Sequence, residues 1–558
     1  MKDAKGSQLA EPQQGVAEGD VSKARALLHV AIALAAGLML RVWLLGKLFE
    51  VNGDSLIYGG LAKNLLLHGR FALTLPSGEM YPTLIRLPGY PLFLAACFRL
   101  FGMENYFSAA CVQVAMDLVS CMLLADFARR MAPAQLKNGA ALAALWLGAL
   151  CPFTASYAAF PLTETATICM LALAMWAMAR FRERPGWGNA LCFTFAVTCA
   201  GLLRPDGVLA ALAFAPGLLI GLRTRGEVTE TVREAGPVPT LATKAETSQG
   251  WSTLFSKGSK SVQELSPAPT LAKLGWGTPG IESRKLIRMT VVCVLLALAP
   301  FGAWAARNWN VFHVFEPLAP RSAADPGENT NPGWERWVKT WCLDFVSTYQ
   351  IYWNVPWDKL DVSELPSRAF DSPAQYVETA ALAAEYNGNG YELTPTIDAE
   401  FERLAEERIS MHPLRYYVWL PLGRVADMWL RPRVENLPID PDWWVYAHHH
   451  AETKFSWAYA GLNAAYLVLG VAGLLLRPRF YTPRTKACPW GPRLWGALLA
   501  YMVLRSVLLL TIDAPETRYT LECFPMLIAG GAVAAAAGWD GWTRKRTRPR
   551  TGASFAGH

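Results

Sequence analysis

Two residues in one stretch of this chain have types and spacing that suggest chemistry. Asp54 opens D-S-L-I-Y-G-G-L-A-K-N-L-L-L-H-G, just beyond a first apolar run from about Leu27 to Leu45. Further on, R-L-P-G-Y-P-L-F runs from Arg86 to Phe93, and the chain then turns apolar again. A carboxylate is ionised at neutral pH without special tuning, so it can take a proton from a hydroxyl. A guanidinium can hold two phosphate oxygens at once. A lone acidic residue at a bilayer surface is ordinarily just solvated. One that opens a helix pattern and is followed by a Pro-Gly-Tyr-Pro return reads as part of a site.

The elements that position this pair follow from composition. Hydrophobic residues make up 53% of the chain and charged residues only 17%, which marks a polytopic membrane protein rather than a soluble enzyme. The net charge of +7 is no nucleic-acid signal, because Lys and Arg cluster in short loops between apolar runs, where the positive-inside rule places them. Most of the eleven cysteines fall in apolar segments, among them Cys97, Cys111, Cys121, Cys169 and Cys192. Only Cys342 lies in the large outer loop, so no disulfide framework is available there. No C-x-x-C or His/Cys metal spacing occurs, and three consecutive imidazoles at His448 to His450 cannot all face one ion from a regular helix or strand.

Ten runs read as spans, near 26–46, 107–128, 140–157, 162–180, 188–203, 206–222, 286–305, 457–476, 494–511 and 520–538. With the N-terminus in the cytoplasm, the basic loops at Arg129 to Lys137, Arg180 to Arg184 and Arg477 to Arg493 all fall inside, as does the tail at Arg544 to Arg550. The first run reads as an uncleaved signal anchor. The expected organisation starts with a disordered cytoplasmic N-terminus over 1–25. An N-terminal transmembrane catalytic module over 26–222 follows, with a first outer loop at 49–88. A flexible cytoplasmic linker covers 223–285, and one span lies at 286–305. Then come an extracytoplasmic loop domain at 306–456, C-terminal spans within 457–540 and a basic cytoplasmic tail at 541–558. The stretch 89–102 is shorter than a span requires and reads as re-entrant or interfacial.

The loop domain is not low complexity. Trp334, Trp337, Trp341, Trp353 and Trp357 suit a surface at the lipid headgroups. Ile397 to Ser410 reads as a charged amphipathic helix, and Tyr416 to Leu430 as a more apolar one lying along the interface.

The odd polar residues gather on one side. Asp54, Arg86, Glu164, Arg204, Asp206, Arg307, Asn308, Glu516 and Arg518 all fall at or just beyond the outer ends of spans. Charges at membrane depth cost roughly 2.5–3.5 kcal/mol each on insertion scales and tend to be kept for function. Glu164 follows the Pro161 turn at a span start, where the helix dipole also favours a carboxylate. It is carried with Asp54 as a catalytic candidate.

D-x-x-x-Y-x-x-x-A-x-N-L ahead of R-x-P-G-Y-P resembles the first outer loop of the glycosyltransferase-C superfamily. These are polytopic enzymes using polyprenyl-phosphate-linked sugars, among them protein O-mannosyltransferases and the aminoarabinose transferases of lipid A. Further matches follow in order: P-L-T-E-T from Pro161, L-L-R-P-D-G from Leu202, A-R-N from Ala306, H-P-L-R-Y-Y from His412 and R-Y-x-L from Arg518. The chain departs from the pattern where Ser55, not a second acidic residue, follows Asp54, and where Arg86-Leu87-Pro88 stands for Lys-Pro-Pro. The resemblance implies an all-α polytopic membrane protein, a glycosyltransferase-C-like helical bundle with extracytoplasmic loop helices. It implies sugar transfer, with inversion, to an extracytoplasmic acceptor hydroxyl on a lipid, glycan or protein. Asp54 is the expected base and Arg86 the leading phosphate ligand. Tyr58, Tyr90, Arg204, Asp206, Arg307, Arg518 and Tyr519 complete the expected substrate site. A divalent metal ion is left open as a cofactor. The expected partners are a polyprenyl-phosphate sugar, the acceptor and membrane lipids, with no nucleic acid, and the expected location is a bacterial inner or plasma membrane. The competing readings are a lipid-linked sugar transporter or flippase and a non-catalytic scaffold. A transporter should carry polar or broken spans near the midplane of both halves, and here the charge sits at one face.

Overall fold

The computed structural model describes residues 14–547 apart from 52, 217, 219–280, 321, 323, 329, 446–448 and 477–490. The linker expected over 223–285, His448 and much of the two termini therefore lie largely or wholly outside the described residues.

The described residues are mostly helical, with one two-stranded hairpin. The N-terminal part runs α1 (Gln14–Leu48), α2 (Asp54–His68), β1 (Ala72–Thr74), β2 (Met80–Pro82), α3 (Gly89–Phe101), α4 (Tyr106–Met131), α5 (Lys137–Ala149), α6 (Pro152–Tyr157), α7 (Thr163–Glu183), α8 (Trp187–Leu203) and α9 (Pro205–Pro216). It continues with α10 (Ile281–Phe312), α11 (Pro332–Lys339), α12 (Pro373–Gly388), α13 (Pro395–Met411), α14 (Leu420–Leu430), α15 (His450–Leu476), α16 (Gly491–Leu509) and α17 (Phe524–Thr547). Six helical stretches are long and apolar enough to cross a membrane: Ala24–Leu48, Tyr106–Met131, Thr163–Glu183, Arg284–Phe312, His450–Leu475 and Thr517–Thr543. The chain is thus an integral, multi-pass membrane protein.

The structure differs from the ten expected spans in two ways. The run 140–157 is not one helix: Pro152, which cannot donate to the preceding turn, opens a separate six-residue helix after Leu150 and Cys151. The run at 188–203 appears as a shorter apolar helix, as does Gly89–Phe101, while 494–511 is α16 and 206–222 lies partly outside the described residues. α3 packs on α2, α4 and α8.

The membrane core is built by α4 on α5 and α7, α7 on α8, α5 on α17 and α15 on α17. Phe127, Phe153, Trp495, Tyr501 and Phe524 are buried at its centre. α1 is fastened to this core by a charge the hydropathy pattern hides. The Arg41 Nε donates to Asp117 Oδ2 at 2.8 Å, and its Nη1 donates to the Ala149 carbonyl at 2.7 Å. Both side chains are buried, so the guanidinium spends its hydrogen bonds on one carboxylate and helix carbonyls.

The loop domain expected over 306–456 has its own core, and it corrects one expectation. Trp334, Trp337 and Trp341 do not form an exposed surface. They are buried together against Phe401, Leu404 and Tyr386 where α11 crosses α13. Trp357, by contrast, is 83% exposed. The Asp398 carboxylate of α13 accepts from the Gly333 and Trp334 amides at 3.1 and 2.8 Å, capping α11 from a distant helix. The helix expected over Ile397 to Ser410 is α13. The more apolar one comprises a π turn at Arg415–Trp419 followed by α14. Its Tyr417, Trp419, Leu422 and Leu430 face outward, while Arg424 is fully buried and donates through Nε to the Cys342 carbonyl at 2.8 Å.

Candidate active site

Asp54 is the first residue of α2, preceded by Gly53 at φ 46, a left-handed conformation that glycine adopts without a Cβ penalty. Its carboxylate therefore meets the free amide end of the helix, where negative charge is favoured. Arg86 comes from the turn between β2 and α3 and donates from Nη2 to Asp54 Oδ1 at 2.6 Å. That turn lies close to the end of α8 because residue 89 is glycine. A Cβ there would stand 2.5 Å from the Leu202 carbonyl oxygen. Likewise Gly207 sits so near Ala200 that a Cβ would approach its carbonyl oxygen to 2.1 Å. The glycines of the two quoted motifs thus let the Arg86 turn and the Arg204–Asp206 turn pack on the same helix end.

Arg518 completes the upper layer. Its Nη1 lies 3.5 Å from Asp54 Oδ2 and 3.9 Å from Glu164 Oε1, so one guanidinium bridges the two catalytic candidates. Its Nε lies 2.5 Å from Glu516 Oε2, and the Tyr519 hydroxyl donates to the other oxygen of Glu516. The segment 511–519 is held from the loop domain. Lys339 Nζ donates to the Thr511 carbonyl at 3.0 Å, Thr348 Oγ1 to Pro515 at 3.2 Å and Arg433 Nη1 to Thr517 at 2.7 Å.

Beneath lies a second, more buried layer. Glu164, in the first turn of α7, is 2% exposed and accepts from Arg204 Nη1 at 3.0 Å. Its other oxygen, Oε2, has no hydrogen-bond partner among the described residues. Arg204 Nε faces Glu522 Oε1 at 2.8 Å and Asp206 Oδ1 at 3.4 Å. Arg505 pairs with Glu522 Oε2 at 2.9 Å and also with Asp206. Arg505 and Glu522 are not among the residues that the motifs single out. The signal that could have found them is a charge inside an apolar run, L-L-A-Y-M-V-L-R-S-V-L-L-L around Arg505, which a membrane core does not tolerate unpaired.

The other expected residues divide. Tyr58 lines the cluster, with the Arg86 guanidinium 5.9 Å from its ring centre, and stacks edge-on with Tyr90 at 5.0 Å. The Tyr90 hydroxyl turns away and donates to Gln113 Oε1 at 2.6 Å, so Tyr90 is a wall. The Tyr519 ring lies under Arg204, 5.7 Å from the guanidinium carbon. Arg307 is not brought into the ion-pair cluster. It donates to the Thr83 and Phe71 carbonyls at 2.8 and 2.7 Å and stacks near Phe71, Trp304 and Phe312.

The network joins five carboxylates (Asp54, Glu164, Asp206, Glu516, Glu522) to four guanidiniums (Arg86, Arg204, Arg505, Arg518). Arg204 is paired with Glu164, Asp206 and Glu522, and Arg505 with Asp206 and Glu522. Arg86 and Arg518, 21% and 22% exposed, are the cations that face the open side beside Asp54, itself 28% exposed. Burial pushes the Asp54 carboxyl up, but Arg86, Arg518 and Arg204 outweigh it and leave the group below its ordinary value. Burial and the neighbouring Asp54 push the Tyr58 phenol up to about 12, so it stays protonated. Each carboxylate faces a guanidinium, and the described residues contain no group of three His, Cys, Asp or Glu arranged to hold a metal ion. His449 and His450 are exposed.

Residues 85–233 match the model of the family described as dolichyl-phosphate-mannose-protein mannosyltransferase. The match takes in Arg86, Tyr90, Glu164, Arg204 and Asp206, and bears out the resemblance read from the motifs. No curated protein matches the chain significantly. Among solved structures, the chain is similar to the Archaeoglobus fulgidus oligosaccharyltransferase tethered with an acceptor peptide (13% identity, TM-score 0.44), over 93% of its own length and 50% of that chain. It thus spans half of that enzyme. It is also similar to ArnT from Cupriavidus metallidurans bound to undecaprenyl phosphate (15% identity, TM-score 0.31), covering 92% of this chain and 79% of that one. The same enzyme in the apo state matches at 14% identity and TM-score 0.32, over 91% and 78%.

Proposed function

We propose that this protein is a membrane glycosyltransferase that moves a sugar from a polyprenyl-phosphate donor to an acceptor hydroxyl at the outer face, with inversion. The observation that carries this reading is the Asp54 carboxylate lying between two partly open guanidiniums, Arg86 at 2.6 Å and Arg518 at 3.5 Å. A base and two cations side by side are what transfer from a phosphate leaving group requires. The acceptor oxygen attacks the anomeric carbon and gives its proton to Asp54. The bond from that carbon to the phosphate oxygen breaks, and its electron pair leaves with the phosphate, whose charge Arg86 and Arg518 neutralise. Glu164 keeps Arg518 and Arg204 in place and stands as the reserve carboxylate.

The donor-free pair also explains how the base is restrained. Asp54 bound to Arg86 is a weak base, because the guanidinium stabilises its charged form. A donor phosphate competes for the same guanidinium. Once it binds there, Asp54 loses part of its counter-charge and gains basicity when the acceptor needs it. The donor therefore binds before the acceptor reacts. Transfer of radiolabelled sugar from polyprenyl phosphate in membranes, for the parent and for Asp54→Asn, tests the proposal. Absence of any transfer by the parent across sugar donors would overturn it.

A further inference from the structure

The Arg86 turn has no regular structure of its own. Between β2 and α3, the Ile85 amide donates to Thr83 Oγ1 at 3.2 Å, and Arg86 Nη1 donates to the Ile85 carbonyl at 3.2 Å. The guanidinium is thus folded back on its own turn, and a displacement of Leu84 and Ile85 carries it along. Two residues grip that turn, one near the end of the 284–312 helix and one from the segment after it. Arg307 holds the Thr83 carbonyl at 2.8 Å, and Asp325 Oδ1 accepts the Leu84 amide at 2.7 Å. Leu84, Leu87 and Trp304 pack beneath in a small core with Phe71, Phe312 and Val314.

Asp325 is placed for this contact. It is buried, its own amide donates to Glu328 Oε2 at 2.7 Å, and its Oδ2 has no hydrogen-bond partner among the described residues. A buried carboxylate that accepts one amide, with only the Arg307 charge acting on it nearby, is costly to keep, so an apolar residue would serve a purely packing role at less cost. We propose that Asp325 is a positioning residue for Arg86: it fixes the Leu84 amide, and through the turn it sets the guanidinium against Asp54 and the incoming donor phosphate. The outer loop domain thereby sets the geometry of the phosphate ligand from a residue 241 positions away from Leu84. This inference rests on the reading of Arg86 as a phosphate ligand.

The test uses the full-length protein in detergent, with undecaprenyl phosphate as the binding probe and sugar transfer as the rate assay. Misplacing a reacting group by about an ångström can cost roughly 10². Asp325→Ala should therefore weaken probe binding and raise donor KM by about tenfold, with kcat changed less than about threefold. Asp325→Asn keeps an oxygen that accepts from Leu84 and should stay within about twofold of the parent. If Asp325→Ala is not recovered folded, Asp325→Ser, whose hydroxyl is too short to reach the amide, takes its place with the same expectation. Arg86→Ala, run alongside, separates the two possible failures. If Arg86→Ala binds the probe as the parent does, the reading of Arg86 falls and the positioning role with it. If Arg86→Ala weakens binding and Asp325→Ala leaves both probe binding and donor KM unchanged, Arg86 keeps its role and Asp325 loses its own. An Asp325→Asn variant as impaired as Asp325→Ala would also overturn the proposal, because the accepting oxygen would then not be what matters.

Discussion

Asp54→Asn removes one proton acceptor while keeping side-chain volume and one oxygen that can still accept from Arg86. In the parent, that oxygen receives Arg86 Nη2 at 2.6 Å, and its twin lies 3.5 Å from Arg518. The variant should therefore fold, with Arg86 free of an anionic competitor. A positioned general base contributes typically 10²–10⁴-fold, which at about 1.4 kcal/mol per decade is roughly 3–5 kcal/mol of barrier. Turnover should fall at least about a hundredfold. Donor binding should be retained or tightened, since the phosphate no longer displaces a carboxylate from Arg86. The assay is radiolabelled sugar transfer by purified protein, with kcat and donor affinity measured separately and monodispersity compared with the parent. Asp54→Glu should fail as well, because an added methylene moves the carboxylate by about an ångström. A well-folded Asn variant that transfers sugar at near-parental rate would refute the assignment. The base would then have to be sought at Glu164, whose Oε2 is unpartnered.

The remaining expectations concern the cations, the pH profile and the buried layer. Arg86→Ala should cost more than Arg86→Lys in donor use, by about ten- to a hundredfold against the parent, as loss of a charge-assisted contact worth roughly 1.5–3 kcal/mol predicts; unchanged donor KM and kcat would remove Arg86 from the site. Because Arg86 and its neighbours hold Asp54 below its ordinary value despite burial, kcat/KM for the free enzyme should stay level as pH falls to about 4 and drop only below it. The acidic limb of kcat, which reports the donor-bound enzyme, should lie at higher pH, and coincident limbs would argue against competition for Arg86. Arg505→Met takes from Glu522 and Asp206 one of the two guanidiniums they share and leaves Arg204 alone to neutralise both, so thermal unfolding in detergent should show a loss of about 3–5 kcal/mol; an unchanged melting temperature would mean that layer is not structural.

Much of the site was legible before any tertiary contact was known. Membrane character, the one-sided placement of Asp54, Arg86, Glu164, Arg204 and Arg518, and the amphipathic helix at α13 all follow from local rules. Hydropathy and helical period act over a few residues, and the chain order of the motifs carries the sidedness. What local rules cannot supply is which opposite charges meet. Arg505 pairs with Asp206 across most of the chain, and Arg307 spends its charge on the carbonyls of Phe71 and Thr83 rather than on the cluster. The Trp334, Trp337 and Trp341 stripe had the right amphipathic pattern, but a pattern does not say whether lipid or another helix covers the apolar face, and α13 covers it. Sequence alone therefore determined which residues carry charge at the ends of the apolar runs. Tertiary structure decided which of those charges neutralise one another and which remain beside Asp54, because ion pairing in a low-dielectric interior depends on ångström separations between segments hundreds of residues apart.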